Sequence, residues 1–433
     1  MNTVTQFEST RHNSQLVDFK TALIHGLAPD GGLYLPASCP KIPYSSFQVS
    51  DYPTFASQVL SEWIGDDLDG VSIQSICASA FDFDIRLIPL EGKNWSDCYV
   101  LELFHGPTLS FKDFGARFMA QVMSGISGSD GSSIVILVAT SGDTGSAVAD
   151  AFSGLPDIRV VLLYPKDQVS SIQEQQLIVH RSGVTSCRVD GTFDDCQRLV
   201  KSAFKTERRT SMKLSSANSI NIGRLLPQSV YYAWAAMKLD AEPLFCVPSG
   251  NLGNLTGGAL AVLSGLSVSG FLAAHNANAF FPAYLVNDKT RPTASVRTLS
   301  NAMDVGAPSN LERLTTLFTS EELSALVAGT TVTDSETLSI MKTVADETDY
   351  IADPHTAVAF HAVRQFRRGK KRDGPVVVIS TADPAKFADV VQTATGRIPL
   401  EPTRLSEFRD RKESVVDIPA TQSALESILD ERT

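Results

Sequence analysis

The sequence has no long hydrophobic run. In its 433 residues the unbroken apolar stretches are short, such as 134–138, and none approaches the roughly 20 residues that a bilayer-spanning helix needs. The segment from Met1 to Thr10 is polar and includes Glu8, so it does not read as a secretory signal. Cysteine is sparse: Cys39, Cys77, Cys98, Cys187, Cys196 and Cys246 are scattered and form no C-x-x-C pair. That excludes the usual zinc spacings, and a chain this long has no need of disulfide staples. A reducing, cytoplasmic setting is expected, with no metal. There is no basic excess either. Lys and Arg total 37 against 48 Asp and Glu, a net charge of −11, which argues against the clustered positive footprint of a nucleic-acid binder. Internal repeats and low-complexity tracts are absent, as are the G-x-G-x-x-G and P-loop spacings of common nucleotide sites.

What is there is apolar content: 43% of the residues are hydrophobic, enough for two or three domains. Strand-like and helix-like segments alternate. Residues 134–140, 159–164, 185–189, 244–247 and 376–379 read as strands. Residues 144–152, 170–179, 193–205, 255–263 and 384–392 read as helices. Such alternation predicts an α/β protein with parallel sheets covered on both faces. The polar, proline-interrupted stretch 276–312 reads as an insertion near a site or as a linker. The charged tail from about Asp410 is expected to cover the surface.

Three polar segments follow strand-like runs, where ligands bind in open α/β sheets. Ala139-Thr140-Ser141-Gly142-Asp143-Thr144-Gly145 is a small turn before a helix. It suits an anion such as a carboxylate or phosphate, or is simply a connection capped by Asp143 or Thr144. Ser249-Gly250-Asn251-Leu252-Gly253-Asn254 lets the backbone fold closely around an anion, or is an ordinary turn. Ser380-Thr381-Ala382-Asp383-Pro384-Ala385-Lys386 offers a hydroxyl at a strand end and a cation, although Asp383 and Pro384 also form a plain helix start. A fourth segment, His105-Gly106-Pro107-Thr108-Leu109-Ser110-Phe111-Lys112, leads into a helical pattern of Phe114, Phe118, Met119 and Val122. Apolar company around Lys112 lowers an amine's pKa by desolvation, and the neutral amine is the form that attacks an aldehyde. Taken alone, Lys112 also fits a snorkelling surface lysine.

In combination and order, these segments resemble the threonine synthase family of pyridoxal phosphate (PLP) enzymes. Gly26-Leu27-Ala28-Pro29-Asp30-Gly31-Gly32-Leu33-Tyr34 and Ser219-Ile220-Asn221-Ile222-Gly223-Arg224-Leu225 match it as well, so the likeness runs from about residue 8 to about residue 395. The resemblance implies fold type II: two parallel-sheet α/β domains, an N-terminal extension, and the cofactor between the domains. The expected division is an N-terminal region at 1–95, a large PLP-binding domain made of 96–118 with 216–433, and a smaller mobile domain at 119–215.

The resemblance also implies roles. Lys112 would form the Schiff base with PLP and shuttle protons. Gly250, Asn251, Leu252, Gly253 and Asn254 would bind the cofactor phosphate, largely through backbone N–H groups. Thr381 would meet the pyridine nitrogen. Ser141, Gly142 and Thr144 would hold the substrate carboxylate, with Asp143 near the cofactor's phenolic oxygen, where many fold type II relatives have Asn. At Asn254 relatives often carry Asp. The implied substrate is O-phospho-L-homoserine, its phosphate met by Arg224, whose fork matches phosphate oxygens, with Asn218 and Lys386 assisting. The implied products are L-threonine and phosphate, from a monomer or small homo-oligomer. The competing outcomes are a phospholyase giving 2-oxobutyrate and a serine/threonine dehydratase-type lyase.

Overall fold

The computed structural model describes residues 5–430 apart from 66–67, 69–70, 127–132, 141, 206–212 and 370–373. Two parallel sheets organise the chain. The larger runs in the order Val327–Thr331, Gly270–His275, Leu244–Pro248, Val376–Ser380, Cys98–Glu102, Arg86–Pro89. Only its last pair is antiparallel. The smaller runs Val416–Pro419, Val184–Asp190, Ile158–Pro165, Ile134–Ala139, Lys213–Ser215, all parallel. Every residue of Ile134–Ala139, Leu244–Pro248 and Val376–Ser380 is buried, because helices cover both faces of each sheet. The near-continuous apolar runs in the sequence have that origin.

The N-terminal region contributes a two-stranded antiparallel pair, Phe7–Ser9 with Tyr34–Pro36. Its helix Tyr52–Ile64 starts where the Asp51 side chain accepts from Thr54 N. That helix packs against Ile222–Leu239, which is buried along nearly its whole length. Lys112–Ile126 and Gly253–Leu263 lie against the same helix, so the helices that begin at Lys112 and at Gly253 share one scaffold.

One expectation is corrected here, and one pair of alternatives is decided in favour of an insertion near a site. The charged tail is built into the smaller sheet instead of covering the surface: Val416–Pro419 pairs with Val184–Asp190, and the helix Gln422–Asp430 buries Leu425, Ile428 and Leu429. This part of 216–433 therefore belongs with the smaller sheet, not the larger one. The stretch 276–312 is no linker. It contains the helix Phe280–Val286 and the short 3-10 turn Asn301–Met303, and its backbone closes on the glycine-rich turn after Leu244–Pro248.

Candidate active site

The turn before Lys112 is held open by a buried carboxylate. Asp113, in the first turn of Lys112–Ile126, accepts from Thr108 N at 2.9 Å and from Thr108 Oγ1 at 2.6 Å. Burial raises its pKa to about 6 against the pull of those bonds. Leu109 takes a left-handed φ of 59° to make the turn. Phe111 N donates to Thr381 O at 2.9 Å and Asp383 N to Leu109 O at 3.1 Å. These bonds fasten the approach to Lys112 beside the end of Val376–Ser380 and make Lys112 and Thr381 neighbours. The Lys112 ammonium lies 4.4 Å from the Phe111 ring centre. Burial, with help from the Arg224 charge and against the opposing Asp143 charge, lowers its pKa to about 8.

The second wall is the turn after Leu244–Pro248. Leu252, with a left-handed φ of 61°, opens the helix Gly253–Leu263, and no side chain caps it. The first N–H groups of a helix have no partner within it, so this end is a ready anion cradle. A Cβ on Gly250 would stand 2.8 Å from Met303 Cα, so only glycine fits beneath the covering backbone. The Asn side chains support the turn. Asn251 Nδ2 donates to Ser219 Oγ at 2.7 Å. Asn254 Oδ1 accepts from the Tyr231 and Tyr232 hydroxyls, each at 2.6 Å. Backbone N–H groups, with Asn254 Nδ2, which has no hydrogen-bond partner among the described residues, are thus the donors this loop offers.

The third wall comes from the smaller sheet. After Ile134–Ala139, Thr140 Oγ1 accepts from Gly142 N at 3.0 Å and Gly145 N at 2.9 Å. Gly142 opens the helix Asp143–Phe152 at a φ of 139° and has no side chain to cap it, so the Thr140 hydroxyl takes that place. Thr144 is partly exposed in its first turn. Ser141 lies outside the described residues. Asp143 faces the other sheet: Lys386 Nζ donates to its Oδ1 at 2.7 Å and to Thr108 O at 3.0 Å. Burial opposes ionisation of Asp143, but the Lys386 ammonium, together with His355 and the Gln173 amide, outweighs it and holds the carboxyl below its ordinary value.

This geometry has known counterparts. Family profiles described as "Pyridoxal-phosphate dependent enzyme", "Threonine synthase N terminus" and "Threonine synthase, C-terminal" match residues 85–382, 6–81 and 356–429. The chain is 39% identical over 427 residues to a threonine synthase of Escherichia coli strain K12, covering 96% of this chain and 97% of that one. It is 41% identical over 396 residues to one of Serratia marcescens, covering 89% and 90%. The chain belongs to the threonine synthase family.

Solved threonine synthases share the whole architecture. The crystal structure from Escherichia coli matches with a TM-score of 0.89 at 37% identity, covering 98% of this chain and 99% of that one. A PLP-bound structure from Brucella melitensis matches with a TM-score of 0.90 at 31% identity, covering 98% of each. The fold is that of fold type II PLP enzymes, and the residues present fit the threonine synthase cofactor. A desolvated amine, a glycine-lined cradle with an uncapped helix end and a strand-end threonine converge between the sheets.

Two of the expected phosphate-binding side chains are placed differently. Arg224 is buried, with Nη1 on Ala217 O and Nη2 on Lys112 O. Gly115 packs against the guanidinium, and burial, opposed by the Asp113 charge, lowers its pKa to about 10. The fork therefore serves main-chain carbonyls under Lys112 and does not point into open space. Lys386 is a buried partner of Asp143 rather than a free cation, and Asp143 in turn is committed to Lys386. Asn218 is partly buried, and its Oδ1 has no hydrogen-bond partner among the described residues.

Sequence reasoning missed Gln173, Asn301 and His355. Gln173 Nε2 donates to Asp143 Oδ1 at 3.0 Å and Asn301 Nδ2 to Gln173 Oε1 at 3.0 Å. Ala302 N donates to His355 Nε2 at 3.2 Å. The only local signal was the pair Ser170 and Gln173, a capping box that opens the helix Ser171–Ile178 and says nothing about a distant carboxylate.

Among the described residues no helix is long and apolar enough to cross a membrane, and no group of acidic, His or Cys side chains is arranged to hold a metal.

Proposed function

We infer that this chain catalyses the PLP-dependent conversion of O-phospho-L-homoserine and water into L-threonine and phosphate, the lyase reaction of its family. The observation that carries the reading is Lys112: a lysine with its pKa lowered to about 8 stands beside Thr381 in a chain related to threonine synthases along nearly its whole length. Bound PLP supplies an aldehyde for an amino group and a ring that stabilises negative charge on the adjoining carbon.

The chain's own residues then have separate tasks. Lys112 would hold the cofactor through its amine, and as a neutral amine it is the base placed to move protons at the substrate's α- and β-carbons. Gly250, Asn251, Leu252, Gly253 and Asn254 present backbone N–H groups to the cofactor phosphate. Thr381 offers the pyridine nitrogen a neutral hydroxyl, which does not force the ring to take a proton. Gly142 and Thr144, with Ser141, hold the substrate carboxylate at the N-terminal end of Asp143–Phe152.

For the substrate phosphate we assign the field of two buried cations, Arg224 and Lys386. Lys386 is already paired with Asp143, whereas Arg224 bonds only main-chain carbonyls and feels the Asp113 charge without a hydrogen bond to it. Arg224 also steadies the Lys112 main chain and helps keep its amine neutral. Asn218 borders Arg224 through Ala217, and its Nδ2, rather than its unpartnered Oδ1, is the atom that can donate to a phosphate oxygen.

Incubating the PLP-loaded protein with O-phospho-L-homoserine and separating the products tests the reading. Equal amounts of threonine and phosphate are expected. Phosphate accompanied by 2-oxobutyrate and no threonine would select the phospholyase outcome instead.

A further inference from the structure

Gln173 makes more bonds than its local role requires. Its side chain is completely buried. As the third residue of the helix Ser171–Ile178 it accepts from Ser170 N at 3.2 Å, which completes the capping box. A capping glutamine usually stops there. This one also donates Nε2 to Asp143 Oδ1 and accepts from Asn301 Nδ2, both at 3.0 Å. The neighbours leave the amide one orientation: Asp143, ionised, can only accept, and Ser170 N can only donate. A turned amide would set oxygen against carboxylate and nitrogen against N–H.

The loop before Asp143 rests on the same amide. A Cβ on Gly142 would stand 2.6 Å from Gln173 Cδ, so the backbone there is shaped directly on Gln173. Beyond Asn301, Ala302 N is held by His355 Nε2, and His355 Nδ1 bonds Asp353 Oδ1 at 2.7 Å. The same Ala302–Met303 backbone covers Gly250, with Ala302 O 3.1 Å from where a Cβ would be. An unbroken series of contacts thus runs from Asp143 through Gln173 and Asn301 to the glycine of the phosphate cradle. It crosses from the smaller sheet's helices to the larger sheet's turn.

We propose that Gln173 is a positioning residue that couples Gly142 and Asp143 to the backbone closing over the cofactor-phosphate cradle, so that the substrate-carboxylate site and the cradle take their shapes together. The proposal rests on the assignment of Gly142 and Thr144 to the substrate carboxylate made above. Seating of a phosphate under Met303 then fixes Asn301, Asn301 fixes Gln173, and Gln173 fixes Gly142 and Asp143. A buried amide suits the task because losing one partner leaves the others without a bond they need.

The test uses PLP-loaded protein carrying Gln173→Met, which keeps length and removes the amide, Asn301→Ala, and both together. KM and kcat for O-phospho-L-homoserine and the dissociation constant of PLP, from absorbance titration, are measured for each. Each single variant is expected to raise KM on the order of tenfold, with a smaller fall in kcat, and to weaken PLP binding several-fold. The double variant should be no worse than the worse single one, because both cuts sever the same connection. Multiplied effects in the double variant, or lowered thermal stability with KM and PLP affinity unchanged, would overturn the proposal. Should Gln173→Met fail to fold, Asn301→Ala decides alone: unchanged KM and PLP affinity overturn it. Thr144→Val checks the underlying assignment separately. An unchanged KM in that variant removes the carboxylate loop itself, whereas a raised KM there with wild-type values in Asn301→Ala removes only the coupling.

Discussion

An amine whose pKa falls from 10.5 to about 8 is neutral about half the time at pH 8, where an ordinary lysine is neutral about 0.3% of the time. At pH 7 the fractions are about 9% and about 0.03%, so Lys112 is expected to carry about 300 times more reactive amine. The cause is burial first, with the Arg224 charge second and Asp143 working against both. Trace labelling of the PLP-free protein with acetic anhydride reads this out. Aliquots between pH 6 and 10.5 are digested, and acetylation of Lys112 is compared by mass spectrometry with that of exposed lysines in the same tube. The Lys112 signal, corrected for reagent access at high pH, is expected to level off above about pH 8.5. A signal that climbs about tenfold per pH unit up to pH 10 would refute the reasoning. Substitution at the two charges moves the midpoint in opposite directions. Arg224→Met should raise it, because Arg224 repels the ammonium, and Asp143→Asn should lower it, because Asp143 attracts it.

Other consequences follow from named contacts. Asp143→Asn or Lys386→Met alone leaves one buried charge unpaired and should cost about 3–5 kcal/mol in urea unfolding. The double variant, which removes both charges, should recover most of that, and additive losses would show that the pair is not the source. Gly250→Ala sets a Cβ 2.8 Å from Met303 Cα; at about 1–3 kcal/mol for such overpacking, PLP affinity measured by absorbance titration should fall at least about fivefold. Lys112→Ala should abolish threonine formation while cofactor phosphate binding, followed by competition with inorganic phosphate, persists at the intact cradle.

Much of this molecule was legible because burial writes a plain pattern. Residues 134–140 and 376–379 are apolar at nearly every position, since helices cover both sheet faces, and they became Ile134–Ala139 and Val376–Ser380. The three strand-end turns and Lys112 were readable in order because glycine, hydroxyl and lysine each serve a chemical need at a fixed place. The tail was misread because Val416–Pro419 is a four-residue edge strand with one buried side chain, too short and too polar to show a period. The contacts of Arg224 were hidden for a different reason. A guanidinium suits phosphate and carbonyl oxygen alike, and only packing against Gly115 and Ala217 decides between them. Lys386 and Asp143 lie 243 positions apart, so their charges, each visible in the sequence, gave no sign of being partners. Gln173 and Asn301 were invisible for the same reason: amides identify a role only through the groups that face them.

The central claim is that Lys112 is the residue that carries the cofactor. Borohydride reduction of the PLP-loaded protein, followed by peptide mapping, tests it directly. A pyridoxyl group on Lys112 and on no other lysine is the predicted result, and an adduct on Lys386 or any other lysine with Lys112 unmodified would contradict it.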